Sequence, residues 1–278
     1  MKNKTWLTVL RWAILVAVLV FIYLPLILIV VYSFSGARNV GEDFGEFTVE
    51  LYQAFFEDES LLSATGNTLL IGVVSALIAT ALGTTAAVGI HYMRKRWRTV
   101  VDSASQITVV NAEIVTAMGF FLLMLLLRDT IKLPVNFGLG WLIVAHTVIT
   151  TPYVILTVSP RLKQLNPNLL EASMDLGAGP VRSLLTVLLP QLAGAMVSGF
   201  ALAFTLSLDD FVVTNLNTIT VDGIDTISTY VYANMKHDLE PDIRALSTIL
   251  FTVVLGVLIV GNVIKNKRLA KQNKPNKE

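Results

Sequence analysis

The sequence predicts an all-α polytopic membrane protein: six transmembrane helices and a pair of short helices on the cytoplasmic side. Three observations carry that expectation. Of the 278 residues 54% are hydrophobic and only 15% charged, a balance too apolar for a soluble globular domain. Six runs reach the length of about 20 apolar residues needed to cross a hydrocarbon core of roughly 30 Å: 12–32, 69–90, 107–127, 139–158, 192–213 and 246–264. With both termini cytoplasmic, only Arg38, Arg128, Lys132, Lys236 and Arg244 of the 21 Lys and Arg fall outside, as the positive-inside rule requires. The whole chain, 1–278, reads as a single membrane domain. A formal net charge of +1 points to no nucleic acid and no acidic substrate. Without cysteine there is no disulfide framework, thiolate metal site or catalytic thiol.

The first run is longer than the apolar core of a secretory signal and no small-x-small cleavage site follows it, so it reads as an uncleaved helix. Pro25 within it predicts a kink. The external loop that follows carries Glu42, Asp43, Glu46, Glu50, Glu57, Asp58 and Glu59 against Arg38. That run fits a solvated face, and equally a field that steers a cation or docks a partner. Phe47, Leu51 and Phe55 recur at intervals of four, the pattern of a short interfacial helix. Asn67-Thr68 is expected to cap the second span, whose Gly72, Ser75, Ala76, Ala79, Gly83, Ala86 and Ala87 mark a closely packed inner helix. Arg94 to Arg98 anchor its cytoplasmic end.

Within the third span Asn111 and Glu113 interrupt apolar sequence. A carboxylate there must be protonated, paired or facing water. His146 in the fourth span lacks a second ligand at metal spacing and reads as a hydrogen-bonded core histidine. Trp141 and Tyr153 fit an interfacial belt or the bundle interior. Pro152 predicts a kink, and Pro160 the end of that helix.

The loop 161–190 is the most ordered polar stretch. Asn166-Pro167 reads as a helix start, Asn as N-cap and Pro at the first helical position. Glu171 follows in the opening turns, where the helix dipole favours an acid. Gly177 is expected to stop this helix in the left-handed conformation. Pro180 opens a second helix, predicted to run to Pro190. Leu169, Ser173 and Leu176 share one face, an apolar strip suited to docking. In the fifth span Asp209 and Asp210 adjoin in apolar sequence, at about 2.5–3.5 kcal/mol each on insertion scales. Adjacent helix positions diverge by about 100°, so one can face a pathway while the other pairs or meets water. A pathway role and a helix-end role both remain open for them.

Glu171-Ala172-Ser173, then Gly177, then Val187-x-Leu189-Pro190 resembles the EAA loop of ABC importer permeases. Ser173 and Val187 depart from that family's Ala and Ile. The YLPLILIVVYSFS run, Ser207-Leu208-Asp209-Asp210-Phe211 and Glu240-Pro241-Asp242-Ile243-Arg244 are similar to the spermidine/putrescine branch of the family. Asn111-Ala112-Glu113 and the loop after the fifth span depart from it. The resemblance implies the type I importer fold in a plasma or inner membrane. It also implies a second homologous permease, a dimer of cytoplasmic ATPases and an extracytoplasmic polyamine-binding protein as partners, beside membrane lipid. Glu171, Ala172, Ser173, Asp175, Gly177, Ala178 and Pro190 would couple to the ATPase. Asp209, Asp210 and Glu113 would line the substrate pathway, replacing the hydration of an ammonium group, and Phe204 and Phe211 would add cation–π contacts.

The chain has no Gly-rich phosphate loop ending in Lys-Ser or Lys-Thr, so no catalytic residue, cofactor or metal is expected in it, and ATP and Mg would be bound by the partner. The same machine carrying an iron complex or an amino-acid derivative is the alternative within transport. An intramembrane aspartyl protease needs carboxylates converging from opposite sides of a peptide, which adjacent Asp209 and Asp210 do not supply. A non-transporting scaffold would have no use for the full loop spacing.

Overall fold

The computed structural model describes residues 2–37, 43–134, 137–218, 224–234, 243–253 and 255–256. Helices dominate them: α1 (Lys2–Tyr32), α2 (Glu50–Glu57), α3 (Glu59–Tyr92), α4 (Lys95–Val110), α5 (Glu113–Leu125), α6 (Leu139–Gln164), α7 (Leu169–Asp175), α8 (Pro180–Ser183), α9 (Leu189–Asp209), α10 (Val212–Thr218), α11 (Ile227–Asn234) and α12 (Ile243–Val253). Four stretches are long and apolar enough to cross a membrane: Thr8–Tyr32, Glu59–Tyr92, Leu139–Gln164 and Pro180–Asp209. A fifth forms if α4 and the stretch Glu113–Thr130, bent by 101° at the break between them, count as one. The sixth expected span, 246–264, is described only as α12 and residues 255–256, and the rest of it lies outside the described residues. So do Arg38, Glu42, Lys236, Glu240 and Asp242.

The chain divides into two compact units, residues 1–62 with 234–278, and residues 63–233. In the first, α1 continues through Pro25 as one helix with its apolar surface exposed, the pattern of a span facing lipid or another chain. Arg244 of α12 is buried and donates to the carbonyls of Tyr32 at 3.3 Å and Ala37 at 2.9 Å. A cation there satisfies acceptors that the end of α1 leaves open. Phe47 lies ahead of α2, bridged to Ser35 and stacked on Phe34 with ring centroids 5.5 Å apart. Of the expected interfacial stripe only Leu51 and Phe55 therefore sit on the helix.

Asp58, not Asn67, starts α3, its Oδ1 accepting the amides of Ser60 and Leu61. Asn67 and Thr68 lie inside the helix. Their side chains instead tie the second unit together: Asn67 Nδ2 donates to the carbonyl of Asp225, and Thr68 Oγ1 accepts the amide of Ile227. The small residues of α3 do what their size allows. Ser75, Ala76, Ala79 and Ala87 are buried. A Cβ on Gly83 would stand 2.7 Å from Val154 Cβ, and one on Gly199 would stand 3.2 Å from Val154 Cγ1. Val154 of α6 is thus clasped between α3 and α9. Around it Ile155, Val158, Leu162, Leu188, Leu192 and Ala203 complete the main core.

α6 runs through Pro152 and Pro160 to Gln164, so Pro160 does not end it. Trp141 belongs to the interior, its Nε1 donating to Asn217 Oδ1 at 3.0 Å. The third and fifth spans are broken where single helices were expected. Asn111 and Ala112 are extended, with ψ of 146° and 130°, and Glu113 opens a new helix with its acid in the first turn. α9 stops at Asp209, Asp210 is extended at ψ 124°, and α10 begins two residues later. A polar group competes with the backbone ladder at both breaks, and each new N-terminus favours the acid beside it.

Gly83→Ala is expected to lower stability by about 1–3 kcal/mol, because Val154 cannot retreat from a methyl group in a packed core. Gly89→Ala on the same helix, with nothing within 4 Å of the new Cβ, is expected to raise stability by up to about 1 kcal/mol, because Ala favours the helix and restricts the unfolded chain. Thermal unfolding of the purified protein in detergent compares the two.

Candidate functional site

Both helix breaks open onto one polar cleft of about 230 Å³ in the second unit. α4 and α5 contribute Thr108, Asn111, Glu113 and Thr116, α6 contributes His146, Thr150 and Tyr153, and Ser207 and Asp210 come from α9 and its end. Asn111 Nδ2 donates to Thr116 Oγ1 at 3.1 Å across the first break. Asp210 forms the buried floor and Glu113 the exposed lip of the same cleft. Two carboxyl groups from separate spans therefore converge on one place.

Asp210 is held by the start of α10. Its Oδ2 accepts the amide and the hydroxyl of Thr214, both at 2.9 Å, and its Oδ1 accepts the amide of Val213 more loosely at 3.4 Å. Its backbone carbonyl takes the Ser228 hydroxyl at 2.9 Å. These bonds to otherwise unpaired helix-end amides offset part of the cost of burying a carboxylate. His146, also buried, reaches Ser207 Oγ with Nδ1 at 2.7 Å and Thr214 Oγ1 with Nε2 at 3.1 Å, and Nε2 lies 3.5 Å from Asp210 Oδ2. The expectation of a hydrogen-bonded histidine holds. Its place in the cleft wall was not anticipated, although an ionisable residue inside a span is a signal of function in itself.

Of the five residues expected along a pathway, the structure brings together Glu113 and Asp210. Asp209 is exposed outside the cleft lining. The two aromatic rings do not line the cleft. Phe204 packs over Gly72 and stacks on Phe200 with centroids 6.1 Å apart, and Phe211 lies 4.7 Å from Tyr232. Tyr153 is the aromatic residue in the lining, and its position one turn beyond Ile149 and Thr150 was the available signal.

The second group of expected residues lies on α7, α8 and the turn between them. α7 begins at Leu169, two residues later than Asn166-Pro167 suggested, because Asn166 Oδ1 accepts the amide of Asn168 and forms a turn ahead of the helix. Gly177 has φ +90° and ends α7 as expected. Leu169, Ser173 and Leu176 do not form one exposed strip. Leu169 is half-buried, and Ser173 turns inward to donate to the buried Ser183 Oγ at 3.0 Å, joining α7 to α8. Leu176 is 90% exposed, and Val181 in α8 and Leu185 just beyond it are exposed too. Glu171, Ala172, Asp175 and Gly177 are exposed and Ala178 is half-buried.

The second helix does not stop at Pro190. α8 passes through a π-helical turn, Leu184–Leu188, into α9, and the amide of Leu189 bonds five residues back to the carbonyl of Leu184. Pro190 has no N–H and crowds the turn before it, and widening that turn lets the helix continue. Pro180–Asp209 is therefore one 30-residue path, about 45 Å long at 1.5 Å per residue. It joins the exposed turn at Gly179 to the residue beside Asp210.

Residues 79–265 match the family model described as binding-protein-dependent transport system inner membrane component. The chain is 31% identical over 255 residues to the spermidine/putrescine transport system permease protein PotC of Escherichia coli (strain K12), covering 92% of this chain and 93% of that protein. It is 33% identical over 247 residues to the putrescine transport system permease protein PotI of the same strain, covering 87% and 86%. Among solved structures it resembles a chain of a bacterial ABC transporter involved in the import of the acidic polysaccharide alginate, with TM-score 0.70, 17% identity and 96% of both chains covered. It also resembles a chain of the inward-facing MetNI methionine ABC transporter, with TM-score 0.53, 19% identity and coverage of 76% and 95%. The expected importer fold is borne out.

Gly177→Val is expected to cost about 1–2 kcal/mol, since a β-branched residue is strained at φ +90°. Gly177→Asn should cost less, because Asn tolerates the left-handed region. Nothing lies within 4 Å of the new Cβ, so the order of the two melting temperatures reads backbone strain and not crowding.

Proposed function

Because the chain belongs to the family of binding-protein-dependent transport system inner membrane components, permease subunits and not enzymes, we propose that it forms part of the pathway of an ATP-driven importer whose cargo is a polyamine, spermidine or putrescine. The observation that carries the cargo class is the convergence of Glu113 and Asp210 on one cleft. An ammonium group leaving water for a membrane interior needs its hydration replaced, and paired carboxyl groups in a low-dielectric wall replace it well. Threonine hydroxyls and the ring of Tyr153 supply further acceptor and cation–π contacts. The names of the curated relatives point to the same cargo.

In this reading a second homologous permease completes the pathway, an extracytoplasmic polyamine-binding protein delivers the cargo, and two cytoplasmic ATPase subunits bind ATP and Mg. Both termini lie in the cytoplasm. The exposed side chains of Leu176, Val181 and Leu185 dock the ATPase, with Glu171, Ala172, Asp175 and Gly177 beside them. ATP-dependent closure displaces the α7–α8 pair. The unbroken path from Pro180 to Asp209 carries that displacement to the Asp210 break, and the cleft changes its access. Hydrolysis reverses the motion.

Asp210→Asn is expected to lower the maximal rate of ATP-dependent spermidine uptake by the whole complex at least tenfold, and Glu113→Gln several-fold, with the amount of copurified ATPase unchanged. A tenfold loss corresponds to about 1.4 kcal/mol, modest for removal of one partner of a desolvated charge contact. Undiminished uptake in both variants would take the two carboxyl groups out of the pathway.

A further inference from the structure

The hydrogen-bond arrangement around Asp210 leads us to propose that His146 is a positioning residue: it sets the orientation of the Asp210 carboxyl group through Thr214, and it does so as the Nε2–H tautomer. The inference rests on the pathway role given to Asp210 above.

Thr214 departs from the bond that several helical threonines of the chain make. Thr68, Thr80, Thr147, Thr150 and Thr218 each donate their hydroxyl to the carbonyl four residues earlier, the local bond open to any helical threonine. For Thr214 that carbonyl belongs to Asp210, and it is taken by the Ser228 hydroxyl. Thr214 donates instead to Asp210 Oδ2 at 2.9 Å. A hydroxyl has one proton, so toward His146 Nε2, 3.1 Å away, Thr214 Oγ1 is the acceptor and the ring nitrogen the donor. Nδ1 then takes the Ser207 hydroxyl at 2.7 Å.

The ring thus straddles the break in the fifth span. One nitrogen is bonded to the last turns of α9 and the other to the first turn of α10. The Nε2–H fixes the Thr214 hydroxyl, the hydroxyl fixes Oδ2, and Oδ1, more loosely held at 3.4 Å, is left to turn toward a cation. With no donor at the Nε2 position, the Thr214 hydroxyl loses the partner that aims it, and Oδ2 keeps only the Thr214 amide as a firm anchor.

Glutamine and asparagine separate these roles, because the glutamine amide nitrogen reaches the place of Nε2 while asparagine reaches only as far as Nδ1. In the whole complex reconstituted in vesicles, His146→Gln is expected to keep the maximal spermidine uptake rate within about threefold of wild type. His146→Asn is expected to lose about tenfold, and less than twofold further when added to Asp210→Asn, since residues acting in series are not additive. With Asp210→Asn impaired, equal losses in the Gln and Asn variants, or a full tenfold loss added by His146→Asn to Asp210→Asn, would overturn the positioning role and leave the pathway intact. A wild-type rate in Asp210→Asn alone would overturn the pathway reading itself. Should His146→Asn not assemble with its ATPase, Thr214→Ser, which keeps the hydroxyl, is compared with Thr214→Val. Rescue by Ser alone supports the relay, and equal loss in both overturns it.

Discussion

A carboxylate inside a hydrocarbon layer is costly unless the protein supplies the contacts that water would have made, and the placement of Asp210 is the constraint on which much of this fold depends. The chain meets it by breaking a membrane span. Ending α9 at Asp209 and restarting at Val212 exposes backbone amides at the start of α10, and the Asp210 carboxyl group takes those of Val213 and Thr214. The break in turn needs support. His146 spans it from α6, Ser228 caps the Asp210 carbonyl, and Asn217 at the far side bonds Trp141 and the Val213 carbonyl. Irregular backbone at membrane depth is tolerated only where protein or a cavity surrounds it, and here it has both.

The same device recurs at Asn111-Ala112, where a second broken span presents Glu113 to the cleft. Discontinuous helices whose ends meet near a site are how membrane transporters place charge without a lipid-exposed polar backbone. Between these breaks and the turn at Gly179 the chain takes the opposite course. The π-helical turn at Leu184–Leu188 absorbs Pro190, so the path from Pro180 to Asp209 stays helical. A stiff connection at one end and a polar break at the other suit a part that must move as a unit and act on a charge.

What the sequence revealed follows the range of each physical signal. Apolar runs and the small residues of the second span are local and strong, and they located the membrane class and the tight approach at Gly83. The left-handed turn at Gly177 was equally legible, since few residues other than Gly accept that conformation. Helix limits were less so. Asn67-Thr68 and Asn166-Pro167 have cap chemistry, yet Asp58 and Asn168 stand at the real starts: Asn67 and Thr68 use their side chains for tertiary bonds to Asp225 and Ile227, and Asn166 uses its own for a local turn with the amide of Asn168. Pro190 looked like a stop because the widened turn that accommodates it leaves no mark in composition. Asp209 and Asp210 are equivalent in sequence, and only the break assigns one to the floor of the cleft and the other to the surface. Phe204 and Phe211 were aromatic residues near the right place whose faces pack elsewhere, and neither they nor His146 could be placed without knowing which helices meet.

Competition decides the cargo: ATP-dependent uptake of labelled spermidine by vesicles holding the whole complex, measured with unlabelled putrescine, iron complexes or amino acids present. A polyamine pathway gives saturable uptake that putrescine suppresses and the other solutes leave unchanged. A complex that hydrolyses ATP in response to another solute and takes up no polyamine would contradict it, and Glu113 and Asp210 would then need a role other than holding an ammonium group.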